Sequence, residues 1–112
     1  MSDELTYATF AALQGEAFQV QVAPDDTVAV TLGSATLHGT GANQAVPSRQ
    51  GERFSLEFLG PRSRFLPQAT YRFMHPRLGS FPVFIVPIGA EQDAFRYEAI
   101  FNRQTWSVAS TA

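Results

Sequence analysis

In a chain without cysteine, chemistry falls to histidine, carboxylates, serine and arginine, and these 112 residues hold few of them in a useful pattern. His38 and His75 are the only imidazoles. Neither belongs to a His-x-x-x-His pair or stands at a metal-ligand spacing from a carboxylate, so a metal site would have to gather three or four ligands from distant segments. His75, just before Pro76, reads as a turn residue whose ring packs on the core and bonds the backbone, and His38 as a solvated strand end. Glu57 and Glu98 each fall on the polar side of an alternating stretch. Held roughly 5–10 Å apart in a cleft they would form a general acid and base, although cross-strand pairing with Arg53, Arg72 and Arg96 competes for them. Asp25 and Asp26 follow Pro24 in a turn and match neither an EF-hand nor a two-metal site. Gly39-Thr-Gly41 lacks the helix and Lys of a phosphate loop, and Ser55, Ser63 and Ser80 lack the setting of a nucleophile elbow. The absence of Cys removes thiol catalysis, iron–sulfur clusters, Cys-based zinc and disulfides. The expectation is a non-enzyme with no metal or cofactor.

Every cation is arginine. Residues 1–48 carry Asp3, Glu4, Glu16, Asp25 and Asp26 with no basic residue, whereas residues 49–112 carry all eight Arg against five acids, for a total of −2. Coding bias explains an Arg-only repertoire as readily as selection for bidentate anion recognition does. Arg62, Arg64, Arg72 and Arg77 lie on one loop, the strand after it and that strand's turn. Together they would make an anion-binding edge; separately they are solvated charges that blunt sheet edges. The acidic total favours the second reading. It also speaks against nucleic acid, whose binding draws on neutralised phosphates.

The elements that would position these groups have period two. Only the segment from about 6 to 14 is helical in pattern: Thr6 can cap, Phe10 and Leu13 are three apart, and Gly15 suits a left-handed stop. Phe18, Val20 and Val22 then alternate with Gln19 and Gln21, and after Pro24-Asp-Asp26 so do Val28, Val30 and Leu32, which predicts a hairpin. Gly33-Ser34 predicts a bulge or bend before Leu37. From Gly39 to Gly51 neither period holds, as in a long mobile loop. Phe54, Leu56 and Phe58 form a third strand ended by Gly60-Pro61. Tyr71, Phe73 and His75, then Phe81–Ile88, then Phe95, Tyr97, Ala99 and Phe101 predict a meander, followed by a polar tail over 103–112 containing Trp106.

The stretch Phe81–Ile88 breaks the alternation. Phe81, Val83 and Ile85 make one face apolar, and Phe84, Val86 and Ile88 do the same for the other. A strand of this kind asks for cover on both sides, by a second layer, the N-terminal helix or another subunit. Pro82 and Pro87 predict incomplete pairing, as at an edge or a bulge. These six residues are the candidate partner interface.

With 45% hydrophobic and 16% charged residues and ten Phe, the composition is that of a folded globule with one core, so residues 1–112 read as a single domain with a β-rich body over 17–102. The expected class is all-β: a compact six-stranded antiparallel sandwich or partly closed barrel with one short N-terminal helix. No apolar run is long enough to span a bilayer, and the acidic start is unlike a signal peptide. A cytoplasmic protein that does not engage membranes is the expectation.

Several motifs carry a resemblance. Phe10-x-x-Leu13-x-Gly15-x-x-Phe18, Arg53-Phe-Ser-Leu-Glu-Phe-Leu-Gly-Pro61, Leu66-Pro-Gln-Ala-Thr-Tyr-Arg72, His75-Pro-Arg-Leu-Gly79, Phe84-Ile-Val-Pro-Ile-Gly89 and Arg96-Tyr-Glu-Ala-Ile-Phe-Asn102 cover nearly the whole chain. In this order they resemble a small bacterial family of unknown function, in which Gly is usual at the position of Ala69. The resemblance brings no catalytic residues. It implies an association with phage-tail-collar-like gene neighbourhoods, and hence a structural or assembly partner. The expected function is therefore a non-enzymatic interaction module that self-associates or docks on a tail-like or other bacterial protein through its aromatic face and a strand edge. The alternatives are a small-ligand-binding β-barrel lined by Phe, Tyr and Arg, and a hydrolase built on Glu57 and Glu98.

Overall fold

A computed structural model describes residues 5–39, 52–91 and 93–103. The predicted loop over 39–51 and tail over 103–112, with Trp106, lie almost wholly outside these residues. A short helix, α1 (Tyr7–Ala11), precedes six strands: β1 (Ala17–Ala23), β2 (Asp26–Gly39), β3 (Glu52–Pro61), β4 (Ala69–His75), β5 (Gly79–Ala90) and β6 (Ala94–Arg103). All neighbours are antiparallel, and the order β1-β2-β3-β6-β5-β4 closes on itself through β4 and β1. Of the two predicted architectures, the barrel is the one formed.

The helix is shorter than the predicted span of 6–14. Thr6 caps it, its Oγ1 accepting from the Thr9 amide at 3.2 Å. Beyond Ala11 the backbone is drawn into the barrel: the Gly15 amide donates to Leu32 O at 2.8 Å, and the Leu32 amide donates to Glu16 O at 3.0 Å. Gly15, at φ 89, makes the turn where a side chain would be strained. One helical turn has no independent stability, so α1 is held by Phe10, which is fully buried.

The predicted hairpin of β1 and β2 forms with Phe18 opposite Val30 and Val20 opposite Val28. The register slips between Leu32 and Ser34, where Gly33 marks a bulge in one long β2. Inward residues from every strand fill the barrel, with Phe18, Phe54, Phe58, Phe73 and Tyr97 at 0–1% exposure. Their rings touch edge to face or tilted: Phe58 lies 5.5 Å from Phe18 and 5.0 Å from Phe73. A six-stranded barrel is too narrow for anything but side chains.

The strand β5 changes neighbours along its length. Gly79–Ile85 pair with β4, whereas Val86–Ala90 pair with β6, so below the Val86–Glu98 pair β5 and β6 separate. Phe10 reaches into this split from α1, 6.1 Å from Phe81 on one side and 5.3 Å from Phe101 on the other. Pro82 lies in the half of β5 with one strand neighbour, and Pro87 beside a register shift to Gly89. Both placements avoid a lost ladder bond in the interior of a sheet.

The opposite end is stoppered by the loop between β3 and β4. Leu66 is buried there, and its amide donates to the hydroxyl of buried Tyr97 at 2.9 Å. Tyr71 Oη donates to Pro67 O at 2.7 Å, and Arg64 binds Asp26 Oδ2 at 2.7 Å. Tyr97 lies close under Gly60, where a Cβ would stand 3.1 Å from its ring. Burial pushes the Tyr97 phenol above its ordinary value of 10.0, with a smaller opposing effect of the Leu66 amide, so the hydroxyl stays intact under the loop.

Candidate functional site

The predicted chemical groups fold into positions that occupy them. His75 ends β4 with 5% of its surface exposed and its ring centroid 4.7 Å from that of Phe18. Nε2 lies 2.8 Å from Glu16 Oε1, and Nδ1 accepts from the Arg77 amide at 3.1 Å. A carboxylate only accepts, so the ring carries its proton on Nε2, and both nitrogens are engaged. This is the core-packed, backbone-bonded histidine the sequence suggests. Glu16, 59 residues away in sequence, is a partner that no spacing rule signals.

His38 is not a bare strand end, because its Nε2 is 2.8 Å from Ser55 Oγ. A Ser–His contact is the beginning of a nucleophilic site, which also needs a third group to orient the base and free amides to receive an oxyanion. Ser55 sits in the middle of β3 with Thr36 on one side and Ile100 on the other, so its backbone is enclosed by ladders. Glu57 and Glu98 stand directly opposite each other on the outer wall, not across a cleft. Arg96 takes both Glu57 oxygens, at 2.7 and 3.4 Å, and this pairing raises the Arg96 pKa. Among the described residues no group of three or more His, Asp or Glu could hold a metal ion.

The four arginines of the predicted anion edge do not meet. Arg62 and Arg64 lie on the β3–β4 loop at one end of the barrel, Arg72 is midway along β4, and Arg77 is in the β4–β5 turn at the other end. Arg62 donates to Glu91 O at 2.9 Å and stacks 4.9 Å from the Phe95 ring centre, Arg64 is spent on Asp26, and Arg72 donates to Ser80 Oγ at 3.2 Å. An antiparallel strand carries its two ends apart by about 3.3 Å per residue, which is why neighbours in sequence diverge here.

The six residues of the candidate partner interface divide by parity. Phe81, Val83 and Ile85 point inward and are 1–6% exposed, so they belong to the core. Phe84 and Ile88 point outward, 51% and 40% exposed, with Val86 half-buried between them. The helix does not cover this outer face, since α1 packs at the end of the barrel against β2 and β3. Ile100 on β6, 68% exposed, joins it. Continuing the Val86–Glu98 register would set Ile100 beside Phe84, and the two residues flank the β5–β6 split from outside. Sequence reasoning left Ile100 out of the interface although it occupies an outward, otherwise polar position between Glu98 and Asn102.

A shallow open pocket of about 360 Å³ lies near the β4–β5 turn, lined by Gln19, Met74, His75, Pro76 and Gly79. It is outside the barrel wall, and the one imidazole in it is already engaged. No helix among the described residues is long and apolar enough to cross a membrane.

No curated protein and no solved structure gives a significant match to the chain. A family model does, over residues 5–101, which span α1, β1 to β5 and β6 as far as Phe101. The chain therefore belongs to the family described as Domain of unknown function (DUF6916).

Proposed function

We propose that this chain is a non-enzymatic interaction module of the cytoplasm, an assembly or accessory partner of a phage-tail-like or other bacterial protein, that docks through the outer wall of β5 and β6. One observation carries the reading: Phe84, Ile88 and Ile100, three of the large hydrophobic side chains left exposed, share that wall. Apolar surface gathered on one face of a small domain is costly unless something covers it. Among the described residues, Phe18, Phe58, Phe73 and Tyr97 fill the volume a ligand-binding barrel would need, which favours the outer wall. His38 and Ser55 engage each other and Glu57 engages Arg96, which favours binding over bond-making. The gene-neighbourhood association of the resembled family supplies the tail-like setting. Docking at a strand edge is not part of the proposal, since closure leaves little edge and Pro82 interrupts what remains.

A photo-reactive amino acid placed at position 84, at 100, and at the exposed control position 29 on β2 tests this in cells that naturally carry the gene. Discrete protein adducts from 84 and 100 and none from 29 are expected. Equal labelling at all three positions, or none at 84 and 100, contradicts the reading.

A further inference from the structure

The charges around Phe84 are arranged as a self-complementary pair. On one side, Arg72 of β4 is opposite Pro82, two residues before Phe84; on the other, Glu98 of β6 is opposite Val86, two residues after it. Arg72 and Glu98 therefore sit diagonally across Phe84 on the two flanking strands, both on outward positions. Neither has an ion pair among the described residues. Arg72 has only the Ser80 hydroxyl, and Glu98 faces Glu57 on β3 while Arg96 is committed to Glu57 and approaches Glu91 at 3.7 Å. With a like-charged neighbour and no cation of its own, Glu98 is a site that gains from a cation brought by a partner.

We propose that the β5–β6 wall binds a second copy of this chain about a two-fold axis through Phe84. The axis lies in the plane of contact and runs perpendicular to the Arg72–Glu98 diagonal. Rotation about it lays Phe84 on Phe84 of the second copy, Ile100 on Pro82, and Arg72 on Glu98, the last twice because the symmetry repeats it. The apolar centre supplies contact and the flanking charges fix the register, as in interfaces with a desolvated centre and a polar rim. Face-to-face packing is favoured over edge pairing because the stretch Gly79–Ile85, which pairs with β4 only, contains Pro82. Two convex walls touch over a small patch, so the dimer belongs among weak, concentration-dependent complexes. The inference rests on the docking reading above and names its occupant.

Sedimentation equilibrium of the purified chain tests it. The native chain is expected to exchange between monomer and dimer in the micromolar range. Arg72→Glu and Glu98→Arg, each placing two like-charge contacts in the dimer, should raise its dissociation constant about tenfold or more. The double variant R72E/E98R should return to within about threefold of the native value. If a reversal disturbs folding, as seen by near-ultraviolet circular dichroism, the neutral variants Arg72→Gln and Glu98→Gln serve instead: combined, they should weaken the dimer no more than either alone. A chain that stays monomeric at ~1 mM, or a double reversal as weak as the sum of its parts, overturns the dimer. The photo-adducts separate this failure from that of the docking reading. An adduct at twice the 12.3 kDa chain mass agrees with self-pairing, adducts only at other masses overturn self-pairing and leave docking intact, and no adduct overturns both.

Discussion

Tyr97→Ala is expected to remove much of the stability of this domain. The side chain is fully buried, with its ring beneath Gly60 and its hydroxyl receiving the Leu66 amide at 2.9 Å. Truncating a buried aromatic costs about 3–5 kcal/mol through lost transfer energy and the cavity left behind. The orphaned Leu66 amide adds about 1–3 kcal/mol because it is buried without a partner. Against a total of about 5–15 kcal/mol for a domain of this size, such a loss brings the chain close to unfolding at 37 °C. Urea denaturation, compared with the native chain, measures it. Tyr97→Phe separates the two contributions, since it keeps the ring and loses only the hydrogen bond; about 1–3 kcal/mol is expected. Tyr97→Phe should also change the alkaline limb. Folding raises the Tyr97 pKa above its unfolded value of 10.0, so the corresponding stability is complete below pH ~10 and lost as pH rises through the folded value. The phenylalanine variant lacks that loss, and its deficit should narrow in strong alkali.

Phe10→Ala acts at the other end and should be nearly as severe, about 3–5 kcal/mol. Phe10 is the only fully buried side chain of α1, and it lies within 6.2 Å, centre to centre, of Phe18, Phe54, Phe81 and Phe101. Its loss does more than leave a cavity. A five-residue helix has little stability of its own and loses its one buried anchor, and the split between β5 and β6 loses the ring that fills it. Amide hydrogen exchange should therefore accelerate first over Gly79–Ile85 and Ala99–Phe101, ahead of the continuous β3–β6 ladder over Glu57–Pro61. Uniform acceleration across all strands would contradict a wedge and indicate an ordinary core residue.

The barrel was legible in the sequence where one physical rule acted alone. Alternation in Phe18–Val22, Val28–Leu32 and Phe54–Phe58 specified strands and their inner faces, because a pleated chain with one buried side has no other pattern to follow. Thr6 marked the start of the helix chemically, but Gly15 did not mark its end, which comes at Ala11; the Gly15 amide is claimed instead by Leu32 of β2. Sandwich and barrel could not be separated, since closure depends on β4 meeting β1, a pairing that periodicity does not encode. Similarly, the doubled apolar pattern of Phe81–Ile88 marked a strand with two apolar sides, yet only the register assigns Phe81, Val83 and Ile85 to the core and leaves Phe84 and Ile88 exposed. Ile100 and the Glu16 partner of His75 depended on contacts between distant segments. The arginines illustrate the same gap in reverse: adjacency in sequence suggested an edge, and the turn geometry dispersed it.

We propose a working surface on the outside of β5 and β6, around an interior filled by side chains. Introducing charge at both ends of that surface, as Phe84→Asp with Ile100→Asp, and following thermal unfolding together with photo-cross-linking from the neighbouring outward position 86, puts it to the most direct test. A melting temperature within a few degrees of native is expected, because exposed side chains contribute little to folding, together with loss of the adducts. Adducts that persist undiminished, or a barrel that unfolds because those side chains were core, would contradict it.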